Sequence, residues 1–123
     1  MEPNREWSDR SILKPLKNPS EKPYEITMET SEITFLGVKN QPDFAKTEIN
    51  MRPGKSIVEL RSLKFYFQDF RNRVISYERL INVIFDDLEA VYEPEWLEVV
   101  IVTNPRGGIS SRLKIDSKMR GDQ

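Results

Sequence analysis

The sequence contains neither cysteine nor histidine among its 123 residues. Without cysteine the chain has no disulfide, no thiolate nucleophile and no zinc–thiolate site. Without histidine it lacks the usual general base and the commonest metal ligand. Any chemistry performed by this chain must therefore use carboxylates, lysine, tyrosine, serine or a cofactor, and we expect no metal site.

An excess of charge of one sign and long apolar runs are also missing. Lys and Arg number 19 against 20 Asp and Glu, which leaves a net charge of −1, so no overall field attracts a nucleic acid or a membrane surface. No run approaches the roughly 18 apolar residues of a membrane-spanning helix, and no apolar stretch of a signal peptide begins the chain. We expect a cytoplasmic protein without a membrane or direct nucleic-acid partner.

Hydrophobic periodicity divides the chain into elements. Residues 1–22 are polar and interrupted by proline, which predicts an N-terminal arm before a single domain over 23–117 and a flexible tail over 118–123. Apolar residues alternate over 24–35 and 45–51, which predicts two strands. Helical spacing follows from about 58 to 72 and again after Ser76, a plausible N-cap, until Pro94. Two further strands are predicted over 96–103 and 109–115.

The resulting order ββααββ predicts an α+β fold, with a four-stranded antiparallel sheet and both helices on one of its faces. A sheet of four short strands leaves two unpaired edges that invite association. Closing several copies into a ring would leave no exposed edge. We therefore expect a homo-oligomer.

Four features can carry chemistry, and each also has a purely structural interpretation. Asp43, which follows Pro42, is either a turn residue or a proton donor in a cleft. Arg61 and Lys64 lie three residues apart near the start of a helix, where they can clamp a phosphate or form a solvated face.

The other two features lie later in the chain. Arg106 precedes two glycines, so residues 104–110 form either a hairpin turn or a loop that donates to a phosphate or carboxylate. Glu78 lies at the start of the second predicted helix. There it either compensates the helix dipole or accepts two hydrogen bonds from the N–H edge of a guanine-like ring.

Together these segments resemble the QueF family, the NADPH-dependent 7-cyano-7-deazaguanine reductases of queuosine biosynthesis, a tRNA modification. The resemblance covers the chain from about Pro23 to Ser110. It implies the tunnelling fold (T-fold), in which ββααββ units assemble into oligomeric barrels with ligand sites between subunits. The matching segments are Gln41-Pro42-Asp43-Phe44, Val58-Glu59-Leu60-Arg61-Ser62-Leu63-Lys64-Phe65-Tyr66, Phe70-Arg71-Asn72, Asp87-Leu88, Trp96-Leu97-Glu98-Val99 and Asn104-Pro105-Arg106-Gly107-Gly108-Ile109-Ser110.

The resemblance also implies roles for individual residues. It makes Asp43 the proton donor and Glu78 the carboxylate that anchors the base. The substrate would be a deazapurine or purine and the cofactor NADPH. The implied substrate-binding residues are Val58, Glu59, Leu60, Tyr77 and Glu78, and the implied cofactor-binding residues are Arg61, Ser62, Lys64, Arg106 and Gly107.

Several positions depart from the family pattern, and two of them bear directly on catalysis. Gly37 stands at the position of the family's nucleophilic cysteine, and Tyr77 replaces the histidine before the anchoring glutamate. In the family, the thiolate adds to the nitrile and the resulting thioimide accepts hydride from NADPH. Glycine cannot supply that addition, and loss of a covalent nucleophile costs many orders of magnitude in rate. We therefore expect a diverged or inactive nitrile reductase.

Three alternatives stay open. The chain can be a non-catalytic module that binds a purine or deazapurine. It can catalyse a different reaction on a purine or pterin, with Asp43 or Tyr77 as acid or base and an added metal held by carboxylates. A hetero-oligomer with an active paralogue would supply the missing residues from a partner subunit.

Overall fold

The computed structural model describes residues 7–121, apart from the side chain of Val38. Over this range the chain forms an α+β fold of six strands and three helices, with short 3-10 turns at Arg10–Ile12, Val38–Asn40 and Asp69–Asn72. In chain order the elements are β1 (Pro15–Lys17), β2 (Ile26–Leu36), β3 (Pro42–Arg52), β4 (Ser56–Val58), α1 (Leu60–Gln68), α2 (Tyr77–Tyr92), β5 (Trp96–Thr103), β6 (Arg112–Asp116) and α3 (Ser117–Arg120).

The main sheet has the strand order β2-β3-β5-β6, and every neighbouring pair is antiparallel. Burial alternates along β3, and Ala45 and Ile49 of this strand share one core with Leu97 and Val99 of β5. Apolar residues of α1 and α2 join the same core, because each helix has one apolar stripe to bury. The predicted α+β fold with a four-stranded antiparallel sheet is confirmed.

The helix boundaries follow from local capping. The Glu59 side chain accepts a hydrogen bond from the Ser62 amide, so α1 begins two residues later than predicted. Val58 instead ends strand β4, which pairs with β1. Ser76 caps α2 as predicted, and α2 ends at Tyr92, followed by the C-cap residue Glu93, whose φ of 45° lies in the left-handed region. The sequence pattern did not show β1 and β4, because each is only three residues long.

Part of the predicted N-terminal arm is built into the domain. Leu13 is 5% exposed and belongs to the core. Residues 15–17 form β1, which pairs with β4. At the other end, residues 117–120 form a single helical turn capped by Asp116. Residues 1–6 of the predicted arm and 122–123 of the predicted tail lie outside the described residues.

The loop between β5 and β6 is longer than the sequence pattern predicted. Arg106 and Ile109 exchange backbone hydrogen bonds across Gly107 and Gly108, whose φ values are 57° and 81°. This tight turn closes before the strands pair, so β6 begins at Arg112 rather than at Ile109. Within the described residues, no helix is long and apolar enough to cross a membrane.

Candidate ligand-binding cleft

One cleft gathers five of the residues proposed from the sequence. Its volume is about 630 Å³, and Gly37, Asp43, Tyr77, Glu78 and Arg106 all line it. These residues come from the end of β2, the start of β3, the first turn of α2 and the loop after β5. They are separated in sequence, so the sheet and α2 together create the site.

Asp43 is the most connected group in the cleft. It is 7% exposed, and its Oδ1 atom accepts hydrogen bonds from the Tyr77 hydroxyl and, at 2.9 Å, from the Phe44 amide. The Arg106 guanidinium lies 3.1 Å from the same oxygen. Burial raises the pKa of Asp43, but the hydrogen bonds from Tyr77, Arg106 and Phe44 outweigh it and leave the pKa below its ordinary value. The lowered pKa favours the carboxylate form of Asp43, which accepts these hydrogen bonds.

Tyr77 holds the proton of this pair. Its hydroxyl donates to Asp43 and lies 3.2 Å from the Phe44 carbonyl oxygen. Its ring packs edge-on against Phe35, with centroids 5.3 Å apart. Burial and the hydrogen bond to Asp43 raise the pKa of Tyr77 to about 12. The hydroxyl therefore stays protonated, and Tyr77 is no general base at neutral pH.

Gly37 lies directly beside the carboxylate. A Cβ atom at this position would be 3.3 Å from Oδ2 of Asp43. The backbone of Gly37 is extended, with φ of −83° and ψ of −164°, so residues other than glycine can adopt it. A side chain at position 37 would therefore point toward Asp43 and into the cleft.

Glu78 and Arg106 face the opening of the cleft. Glu78 is the second residue of α2 and is exposed. The Arg106 side chain is 58% exposed and crosses from the β5–β6 loop to Asp43. Gly107 adopts a positive φ in the turn beside it, and its contact with a cofactor stays a prediction. The cleft thus offers a solvent-facing carboxylate and a guanidinium beside a buried carboxylate.

A family model described as "QueF-like protein" matches residues 42–122. This chain belongs to the QueF-like family. The NADPH-dependent 7-cyano-7-deazaguanine reductase of a Nitratiruptor species is 35% identical over 93% of this chain and 88% of the relative. The protein of the same name from Prochlorococcus marinus (strain MIT 9312) is 41% identical over 82% of this chain and 76% of the relative. The family resemblance seen in the sequence is confirmed.

A solved structure shares the fold of this QueF-like chain. It is the crystal structure of the archaeosine synthase QueF-Like in the apo form, with a TM-score of 0.71 and 14% sequence identity. The match covers 78% of this chain and 95% of the other. At this identity the similarity concerns the fold alone.

The remaining site residues implied by the family lie elsewhere. Val58 ends β4, Glu59 is the N-cap of α1, and four of them belong to α1: Leu60, Arg61, Ser62 and Lys64. None of these six lines the cleft formed by the described residues. In the folded chain the predicted site residues therefore form two groups, one that lines the cleft and one at the end of β4 and the start of α1.

Three residues of this second group have structural roles in the chain. Val58 is buried in the core, and the Glu59 side chain caps α1. Ser62 is 3% exposed, and its hydroxyl donates to the Glu59 carbonyl at 2.7 Å and accepts from the Lys14 amide at 3.0 Å. Ser62 therefore ties the N-terminal segment to α1 and does not face solvent.

The exposed members of the group form a basic cluster on α1. The Arg61 guanidinium lies 5.7 Å and the Lys64 ammonium 4.9 Å from the centre of the Phe65 ring. Phe65 is 42% exposed and Leu60 is 64% exposed. This surface combines two cations with an exposed aromatic ring.

Two aromatic or charged residues of the cleft that lie side by side were not predicted from the sequence. Trp7 and Arg79 both line the cleft. Trp7 lies in the proline-interrupted arm, where no periodic pattern reveals its position. The available signal was that Trp7 is the only aromatic residue before Tyr24. Among the described residues, no three Asp or Glu side chains gather as a metal-binding group.

Proposed function

We propose that this QueF-like protein binds a 7-deazaguanine-class base in the cleft and does not reduce a nitrile through a covalent thioimide. The observation that carries the proposal is a cleft that gathers Asp43, Tyr77, Glu78 and Arg106 in a chain without a single thiol. A concave site with a few convergent polar groups suits a small ligand. By contrast, this chain contains no thiolate that could add to the nitrile.

The polar groups of the cleft match the edge of such a base. The Glu78 carboxylate can accept two hydrogen bonds from adjacent N–H groups, which a guanine-like ring presents. Arg106 is held near the opening by Asp43 at 3.1 Å and can donate to a carbonyl or nitrile group. Val74 and Ile75 supply apolar lining. Substrate recognition in this proposal therefore uses charge-assisted hydrogen bonds, which are stronger than neutral ones.

The state of Asp43 also favours binding over proton transfer. A proton donor must carry a proton at the working pH. Asp43 instead accepts hydrogen bonds from Tyr77 and Phe44 and forms an ion pair with Arg106. These contacts lower its pKa, so the family role of general acid is disfavoured in this arrangement.

A second candidate function is NADPH-dependent reduction by a route without a thiolate. The basic cluster of Arg61 and Lys64 beside Phe65 favours it, because two exposed cations fit the phosphate groups of the cofactor. When bound, NADPH supplies a hydride ion. Ser62 does not fit a phosphate contact, since its hydroxyl already bonds to Glu59 and Lys14.

We also propose that copies of this chain assemble edge to edge as a homo-oligomer. Strands β2 and β6 form the two edges of the main sheet, and open edges favour pairing with another chain. Assembly would allow the basic cluster on α1 of one copy to approach the cleft of another. Light scattering after size exclusion should give a mass well above 14.5 kDa, and a clean monomer at micromolar concentration would contradict the assembly.

Calorimetric titration with 7-cyano-7-deazaguanine tests the proposed function. We expect the wild type to bind, and Glu78→Gln to bind about tenfold or more weakly, since a charged hydrogen-bond partner is lost. Glu89→Gln is the matched control, because Glu89 is an exposed acid on the same helix but outside the cleft. Absence of binding by the wild type would reject the proposal. Consumption of NADPH that requires the base and is lost in Asp43→Asn would favour the second candidate.

The variant Gly37→Cys tests where the nitrile lies. The Cβ position beside Asp43 would place a thiol in the cleft. Its sulfur would add to the nitrile carbon while its proton passes to the nitrile nitrogen, giving a thioimide with no leaving group. Intact-protein mass spectrometry should show an increase equal to the mass of the ligand. Leu36→Cys is the control, because Leu36 pairs with Pro42 within the sheet. An adduct in the control alone would refute this placement of the nitrile.

A further inference from the structure

Trp7 forms part of the same cleft as the proposed base-binding residues. Its indole lines the cleft with Asp43, Tyr77, Glu78 and Arg106, and it is partly buried against the core. The Arg79 guanidinium lies 4.9 Å from the centre of the Trp7 ring. Arg79 follows Glu78 in the first turn of α2, and Glu78 lines the same cleft as the Trp7 ring.

A buried anchor fixes the segment that carries Trp7. Asp87 on α2 is completely buried, and its Oδ2 atom accepts a hydrogen bond from the Ser8 hydroxyl at 2.6 Å. The Arg10 Nε atom donates to Oδ1 at 2.9 Å, and the Tyr66 hydroxyl donates to Oδ2 at 2.5 Å. Ser8 and Arg10 thus bind the backbone directly after Trp7 to the helix that also carries Tyr77 and Glu78.

This anchor is stronger than an ordinary surface contact. A buried carboxylate is costly unless it is fully paired, so removal of its partners is strongly unfavourable. The hydrogen bonds from Ser8 and Arg10 offset the free-energy cost of burying the Asp87 carboxylate. The same hydrogen bonds hold Ser8 and Arg10 in place. The position of Trp7 follows from these contacts and not from the sequence pattern around it.

We infer that Trp7 is a ligand-binding residue of the cleft, whose indole stacks on the bound base while the Asp87 anchor positions it. Hydrogen bonds from the polar groups of the cleft reach the edge of a planar heteroaromatic ring, and an aromatic side chain supplies contact to its face. Stacking of this kind tolerates different bases, because every base has a π-face. Trp7 therefore contributes affinity, whereas Glu78 selects the hydrogen-bonding edge.

This inference rests on the proposed function, and calorimetry with 7-cyano-7-deazaguanine distinguishes the two. We expect Trp7→Ala to weaken binding about tenfold or more, the range measured for base–aromatic contacts, whereas Trp7→Phe retains a ring and largely restores the affinity. The unfolding midpoint in urea checks that each variant is folded.

The chain has two tryptophans, and Trp96 donates its indole N–H to Asp116 at 3.2 Å. In the Trp96→Phe background the tryptophan fluorescence, excited at wavelengths that tyrosine does not absorb, comes from Trp7 alone, and the ligand should quench it. In the same background, Arg10→Met should shift the Trp7 emission to longer wavelength and weaken binding, and Arg10→Lys should reverse part of both effects.

Each outcome decides between the two ideas. Wild-type affinity in Trp7→Ala would overturn the stacking role and leave the proposed function intact. Equal weakening in Trp7→Ala and Trp7→Phe would also overturn stacking, because it would show that the ring face is not what the ligand needs. Absence of binding by the wild type would overturn both.

Discussion

Replacement of Tyr77 by phenylalanine should destabilise the protein mainly in the pH range where Tyr77 is protonated and Asp43 is ionised. The substitution keeps the ring that packs on Phe35 and removes the hydroxyl that donates to Asp43. A hydrogen bond to a charged group contributes about 1.5–3 kcal/mol to stability. Because Asp43 keeps its contacts with Phe44 and Arg106, we expect the loss at neutral pH to be about 1–2 kcal/mol.

The dependence on pH follows from the two pKa shifts. The folded-state pKa of Asp43 is lowered, so its stabilisation is present above the unfolded-state pKa and is lost as the pH falls through the folded-state value. The folded-state pKa of Tyr77 is raised from 10.0 to about 12, so its stabilisation is present below pH 10 and is lost as the pH rises toward 12. The difference in unfolding free energy between wild type and Tyr77→Phe should therefore shrink at both extremes.

Urea unfolding of both proteins across acidic, neutral and alkaline pH measures this difference. Tyr92→Phe is the control, because the pKa of Tyr92 is also raised to about 12 by burial, while its hydroxyl donates to the backbone carbonyl of Lys14. The control should lose its effect on the alkaline side and keep most of it in acid. A Tyr77→Phe effect that stays constant from neutral pH into acid would refute the coupling to Asp43.

Three further predictions concern stability alone, and urea unfolding measures each of them. Asp87→Ala should lower the free energy of unfolding by about 3–5 kcal/mol, because it leaves the buried Tyr66 hydroxyl and the other donors without their carboxylate; a loss below about 1 kcal/mol would show that the network relaxes freely. Gly54→Ala should destabilise by about 1–3 kcal/mol, since its Cβ would lie 2.9 Å from the Glu93 backbone oxygen. Glu93→Gly should stabilise by up to about 1 kcal/mol, because it relieves a left-handed backbone at the end of α2, and a destabilised variant would contradict that account.

Much of the fold follows from local patterns in the sequence. The apolar, β-branched run over 96–103 predicted β5 with the bounds that the structure shows, because β-branched residues are enriched in strands. Ser76 predicted the start of α2, since a serine side chain satisfies the free amides of the first turn. The short strands β1 and β4 have no such signature, and their pairing depends on contacts between segments about 40 residues apart.

The candidate site also depends partly on the sequence alone and partly on the tertiary structure. The sequence by itself determined the residue types of the cleft, the absence of any thiol, and through its motifs the membership of the QueF-like family. Only the tertiary structure decided that Asp43 is an ionised acceptor between Tyr77 and Arg106. It also decided that Trp7 joins the cleft. Both results depend on contacts that the buried residues Asp43 and Asp87 make with residues far away in the sequence. No local sequence pattern encodes such contacts.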